Sequence, residues 1–132
     1  MKKNLVTEKK LLPILNELKK REPIFHHSDS FGKTEQDILN QMCDEFWEVG
    51  ASGNVYTKQY VLDVLVERYK DPDYKDDWEA KNFELMEICH DSYLLTYILI
   101  QGKTRITRRS TIWRKFAGEW KILYHQGTII EK

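Results

Sequence analysis

A chain of 132 residues is long enough to bury a core as one domain, and its 21 basic and 21 acidic side chains cancel. That balance gives no general attraction to nucleic acid, to acidic partners or to a membrane surface. Two cysteines, Cys43 and Cys89, stand far apart at no metal or redox spacing and read as reduced, buried thiols of a cytoplasmic protein.

Lys2 and Lys3 precede no apolar run, so no signal peptide is expected. Leu11, Leu12, Leu15 and Leu18 recur at helical spacing after Thr7 and Glu8. This predicts a helix from Glu8 to Arg21, with Pro13 in its first turns and Pro23 past its end. His26 and His27 follow in a loop. Thr34, with Asp37 three residues on, caps a short helix running to Met42. Phe46 to Ala51 reads as extended, and Gly50, Gly53 and Asn54 mark a turn. Thr57 then caps a third helix with Tyr60, Val61, Val64, Leu65 and Arg68 along one side. The charged run from Lys70 to Lys81, interrupted by Pro72, reads as a solvated loop and not as a linker. With no repeat or low-complexity segment, residues 1–132 form one expected domain.

From Trp78 onward the pattern changes. Glu79–Cys89, Tyr93–Gln101, Thr104–Phe116 and Trp120–Ile130 are strand-like, separated by the turns His90–Ser92, Gly102–Lys103 and Ala117–Glu119. Helices first and a four-strand meander second predict an α+β fold, with helices on one face of an antiparallel sheet. In "SYLLTYILI", Leu94, Thr96, Ile98 and Ile100 face one way and Tyr93, Leu95, Tyr97 and Leu99 the other, so both faces are largely apolar. Ile112–Trp113 and Ile122–Leu123 repeat this at adjacent positions. Three helices cover one face only. The other is expected to pack on a second copy, unless part of the chain wraps back over it. The run Tyr93–Ile100 is too short to span a bilayer.

The strings "DEFWEVGASGNVYTKQYVLDVL", "YLLTY", "TRRSTIWRK" and "GEWKILYHQGT", within the order helix–helix–strand–helix–meander, resemble the nuclear transport factor 2-like superfamily over about Leu11 to Ile130. Its members include ketosteroid isomerase, polyketide cyclases of SnoaL type, scytalone dehydratase and the association domain of calmodulin-dependent kinases. The resemblance is to small bacterial proteins of unknown function within it. It implies a cone-shaped α+β fold: a curved antiparallel sheet wrapped around the N-terminal helices, an apolar pocket between them, and homodimers formed through the sheet.

Within such a pocket the candidate residues separate by strand parity. Glu48 sits beside Trp47, so one of the two faces in. An inward Glu48 among apolar walls suits acid–base work, and an outward one is an ordinary strand carboxylate. His125, on a strand the resemblance places along the cavity, is either a general base or ligand contact, or a hydrogen-bonded core histidine. Arg108 and Arg109 point to opposite faces. Parity with Thr111 and Trp113 puts Arg109 inside, to hold an anion or to pair with Glu48, although a bulge near Gly118 would reverse the choice. Glu48 and His125 are thus the candidate catalytic residues, and Trp47, Tyr97, Arg109, Thr111 and Trp113 the candidate ligand contacts. Tyr56 and Thr96 are further hydroxyl sources.

Other chemistries are not supported. "GASGN" is no phosphate loop, and no serine sits in a nucleophile elbow. The basic cluster around Trp113 splits over two faces, which argues against RNA. His26 and His27 lack a third ligand at metal spacing. No metal, cofactor, nucleic acid or membrane is therefore expected. The expected function is a dimeric small-molecule-binding domain. The alternative is an isomerase or dehydratase that moves a proton on an apolar substrate.

Overall fold

The computed structural model describes residues 5–74 and 77–130. A 3-10 turn, Lys9–Leu11, leads into α1 (Leu12–Lys19), where Pro13 occupies the first turn at no hydrogen-bonding cost. Leu11, Leu15 and Leu18 form its buried stripe. α3 (Glu35–Leu39) opens on the expected capping box: Thr34 Oγ1 accepts from the Asp37 N–H, and the Asp37 carboxylate accepts from the Thr34 N–H. It ends short of Met42, because β1 (Met42–Val49) already begins there and buries Met42 and Phe46. Two short elements were not read from the sequence: α2 (Ser28–Phe31) in the histidine loop and β2 (Val55–Thr57) at the sheet edge. α4 (Lys58–Lys70) starts at Thr57, whose Oγ1 accepts from the Tyr60 N–H.

The meander is formed by β3 (Trp78–Cys89), β4 (Ser92–Gln101), β5 (Arg105–Phe116) and β6 (Glu119–Ile129). The charged run from Lys70 therefore divides between the end of α4, a connection and the start of β3. Its residues 75 and 76, like Lys2 and Lys3, lie outside the described residues. The expectation that both reduced thiols are buried is corrected at Cys89, which is exposed at the end of β3. Cys43 is buried, its thiol pushed up by desolvation, and neither cysteine is bonded. No helix among the described residues is long and apolar enough to cross a membrane.

The strands form one sheet in the order β2-β1-β6-β5-β4-β3. The α+β class and the curved sheet over N-terminal helices agree with expectation. One join departs from it: β1 lies parallel to β6, with Trp47 opposite Tyr124 and Glu48 opposite His125. Every other pair is antiparallel. The register shifts in three strand pairs: between Met42 and Trp47, between Lys81 and Glu84 and again between Glu87 and Cys89, and between Ile112 and Trp113. Such bulges bend and twist a sheet, and here they curl it around the helices. The shift on β6 leaves Leu123 without a ladder partner, which accounts for the adjacent Ile122 and Leu123.

On the inner face, Leu85, Tyr93, Leu95, Leu99, Trp113 and Ile122 pack against Leu15, Leu18, Ile38, Leu62 and Leu65 of the helices. On the outer face the register aligns one row across five strands: Trp47, Tyr124, Ile112, Leu94 and Met86. Trp47 and Met86 are each 44% exposed, and the Trp47 and Tyr124 rings lie 4.6 Å apart.

One buried carboxylate links the N-terminal segment to the sheet. Glu22 is 1% exposed. Its Oε1 accepts from the Ile24 N–H at 2.9 Å and from the Tyr97 hydroxyl at 2.9 Å, and its Oε2 accepts from Trp113 Nε1–H at 3.0 Å. The Glu22 carbonyl accepts from His27 Nε2 at 2.8 Å. Hydrogen bonds to a charged acceptor are among the stronger ones, and leaving a buried donor unmet is costly. In Glu22→Gln, an amide that keeps its oxygen on Ile24 and Tyr97 turns its NH2 toward the Trp113 N–H. Urea denaturation should show a loss of about 1–3 kcal/mol. In a Trp113→Phe background, which lacks the opposing donor, Glu22→Gln should cost less than it does in the wild type; an unchanged urea midpoint in Glu22→Gln would remove the structural role.

Candidate functional site

A cavity of about 340 Å³ opens between the sheet and α4. The side of α4 read from the sequence as one stripe, Tyr60, Val61, Val64, Leu65 and Arg68, forms a wall of it. Pro23, Ile24, Phe25 and His26 close one end, held there by the Glu22 carboxylate and by the Tyr69 hydroxyl, which donates to the Phe25 carbonyl. The sheet contributes Glu48 from β1, Tyr56 from β2, Tyr97, Leu99 and Gln101 from β4, Arg105 and Arg109 from β5, and His125 from β6.

Of the residues singled out from the sequence, Glu48, Tyr97, Arg109 and His125 border this one cavity. Tyr56 joins them, and the others are set apart by strand parity or by depth in the core. Trp47 points to the outer face, where it meets Tyr124. Thr111 and Trp113 do face inward, but they are fully buried in the core beyond the cavity lining, and Trp113 is bonded to Glu22. The choice of Arg109 over Arg108 holds, since Arg108 is exposed and the bulge falls beyond this part of β5. Arg109 does not form the ion pair with Glu48 weighed as its structural role. Thr96 lies on the outer face, paired with Ser110. The two adjacent histidines split: His26 borders the cavity, and His27 packs edge-on to Trp78 at 5.4 Å.

The Arg109 guanidinium is held by three partners, none of them a carboxylate. Its Nε donates to Thr107 Oγ1 at 2.8 Å, its Nη2 to Gln101 Oε1 at 3.4 Å, and its Nη1 meets His125 Nε2 at 3.5 Å. Burial lowers its pKa. The Tyr97, Glu48 and Glu22 side chains oppose that shift, and Arg105 adds to it. Gly127, opposite Arg109 on β6, makes room for this side chain: a Cβ there would stand 3.0 Å from Arg109 Cζ. Gly50 does the same for Tyr56, whose ring would meet a Cβ at 2.8 Å and which stacks on Tyr60 at 4.9 Å.

His125 is 6% exposed. A guanidinium has only donors, so a hydrogen bond from Arg109 requires His125 Nε2 to accept; that tautomer carries its ring hydrogen on Nδ1, a buried atom with no hydrogen-bond partner. Nδ1 lies 3.9 Å from Glu48 Oε2, close enough for attraction but too long for a hydrogen bond. Tyr97 is held neutral: burial, then the charge and hydrogen bond of Glu22, push its hydroxyl well above the ordinary tyrosine range. Its proton is committed to Glu22, so it offers the cavity no free donor.

Glu22, Gln101, Arg68 and Arg105 were not singled out as site residues. "REPIF" carries no visible mark of a buried glutamate, because its partners lie 75 and 91 residues away. Gln101 and Arg105 flank a hairpin turn, where polar residues are ordinary.

The cone, the helices gathered within it and the hollow between them define the nuclear transport factor 2-like fold. Solved structures carry the same fold. An NTF2-like protein from Cytophaga hutchinsonii is 17% identical, with a TM-score of 0.65 over 94% of this chain and 100% of its own. An NTF2-like protein of unknown function in nutrient uptake from Rhodospirillum rubrum is 19% identical, with a TM-score of 0.64 over 91% and 98%. A putative Ca/calmodulin-dependent kinase II association domain from Exiguobacterium sibiricum is 14% identical, with a TM-score of 0.61 over 98% and 99%. No protein-family model and no curated protein matches the chain. At these identities the likeness establishes the fold alone.

Nitrogen-15 NMR of the neutral His125 ring should show the hydrogen on Nδ1. A ring protonated on Nε2 instead would contradict the Arg109 contact as described.

Proposed function

We propose that the chain works as one domain whose conical cavity binds a small molecule. The observation that carries this is convergence: polar side chains from β1, β2, β4, β5 and β6 meet in a hollow walled by Phe25, Val61, Leu65 and Leu99. Its volume is at the small end of the roughly 300–1,000 Å³ typical of ligand pockets. A thermal-shift screen of a small-molecule library should yield ligands that raise the melting temperature of the wild type. Val64→Trp, which fills the cavity from α4, should abolish those shifts. Shifts that survive Val64→Trp would place binding elsewhere.

A second reading is proton transfer by Glu48, the cavity carboxylate, beside the His125 imidazole. Binding is favoured over it by the occupancy of the other polar groups. The Tyr97 hydroxyl is taken by Glu22, and His125 Nε2 faces Arg109. Neither group is then free to serve a developing oxyanion.

We propose further that the protein is a homodimer joined through the outer sheet face. The row from Trp47 to Met86 spans five strands, about 20 Å at the usual spacing. The Exiguobacterium structure is described as a putative association domain, which favours assembly for this fold. The unlinked thiols of Cys43 and Cys89 accord with a cytoplasmic location. Light scattering should give twice the 15.8 kDa chain mass, and Ile112→Asp should give the monomer. A wild type that stays monomeric at high micromolar concentration would reject the dimer.

A further inference from the structure

We infer that the cavity takes a small organic acid, its carboxylate held by Arg105 and Arg109 and its flat apolar body laid along α4. This names the ligand class for the binding reading above and rests on it.

Two guanidiniums converge on one neutral oxygen. Gln101 Oε1 accepts from Arg105 Nη1 at 3.0 Å and from Arg109 Nη2 at 3.4 Å. Among the described residues, no carboxylate lies within ion-pair distance of either arginine. A third guanidinium, Arg68 of α4, lines the same cavity and lies over the Tyr74 ring at 5.2 Å. Against these three cations the described lining sets one carboxylate, Glu48, which adjoins His125.

An amide oxygen between two arginines occupies the place of one carboxylate oxygen. A ligand carboxylate brings two oxygens and a full charge, which matches the planar donor fork of arginine better than an amide does. Arg109 is already oriented for that contact. Thr107 and His125 fix its other nitrogens, and Gly127 leaves the space it lies in. Its charge is half-buried without a carboxylate at contact distance, so an incoming anion relieves an existing cost.

The rest of the lining selects the body of the ligand. Tyr60 is stacked on Tyr56 with an interplanar angle of 11°, and Val64 and Leu65 continue the wall. Leu99 faces them from the sheet. These surfaces gain nothing from a bare inorganic anion but do gain from an aryl or short alkyl group. The space of about 340 Å³ suits an acid with one ring.

Isothermal titration of the wild-type protein with phenylacetate, phenylacetamide and inorganic phosphate at low salt tests this. Phenylacetate should bind at least about tenfold tighter than the isosteric amide, the effect of one charge-assisted contact, and tighter than phosphate. Arg105→Gln, at an exposed position, should bring the acid-to-amide ratio toward one. Gly127→Ala should lower the ratio as well while keeping every charge, because its methyl group pushes the Arg109 guanidinium by a few tenths of an ångström. An amide that binds as well as the acid would overturn the acid class and leave the small-molecule reading standing. Phosphate binding tighter than phenylacetate would overturn the apolar body, and a selectivity untouched by both variants would overturn the assigned residues. If none of the three probes binds, the proposal fails. It then fails alone if the library screen still finds ligands sensitive to Val64→Trp, and together with the binding reading if it does not.

Discussion

The cone is held by a negative charge placed where water does not reach. Glu22 lies just past the turn that ends α1 at Lys19, and its carboxylate collects donors from its own loop, from β4 and from β5. Helices that merely rest on an apolar sheet face have many near-equivalent seatings, because hydrophobic contact is not directional. Three aimed hydrogen bonds remove that freedom. They fix where the segment Pro23–His26 lies, and that segment closes one end of the cavity. The site is therefore positioned by a group that does not itself line it.

Elements with strong local signals were legible from the sequence. The meander came out within a residue or so at each end, because β-branched and aromatic runs alternate with turn residues there. α4 and its capping threonine were equally clear. The short pieces were not: α2 and β2 are too brief for any periodicity to register, and β1 was read as starting at Phe46 because Met42 and Cys43 resemble the end of a helix. Parity carried the choice of Arg109 over Arg108 where β5 is regular; for Glu48 and Trp47 it said only that the two face opposite ways, and both stayed candidates. It carried less where depth matters. Thr111 and Trp113 share the face of Arg109 but lie deeper in the core, and a period of two says which face a residue is on, not how far it lies from the opening. Glu22 was illegible because its partners are distant in sequence.

The polar end of the cavity shows how a cation is kept ready inside a protein. An arginine paired with a carboxylate would be stable and inert toward a further anion. Here the partners of Arg109 are a hydroxyl, an amide oxygen and an imidazole nitrogen. Each satisfies an N–H without cancelling the charge. The geometry is then set in advance, and little ordering remains to be done on binding.

The parallel join of β1 to β6 carries a consequence for how the molecule comes to be made. β1 hydrogen-bonds to the last strand of the sheet, and β2 is attached only through β1. During synthesis the segment Met42–Thr57 therefore has no sheet to join until β6 has emerged. Closing so long a loop costs chain entropy before any contact repays it, so this join belongs to the late, slow part of folding. Until then Met42, Phe46 and Trp47 have only helices or solvent to meet. Glu48 and His125 stand opposite each other on these two strands, so the cavity is finished by the same step that closes the sheet. A nascent or partly unfolded chain that keeps an intact β3–β5 meander would lack the finished cavity and, on the proposed function, would bind no ligand. Ligand binding would then report the completed molecule, and it would stabilise the join that forms last.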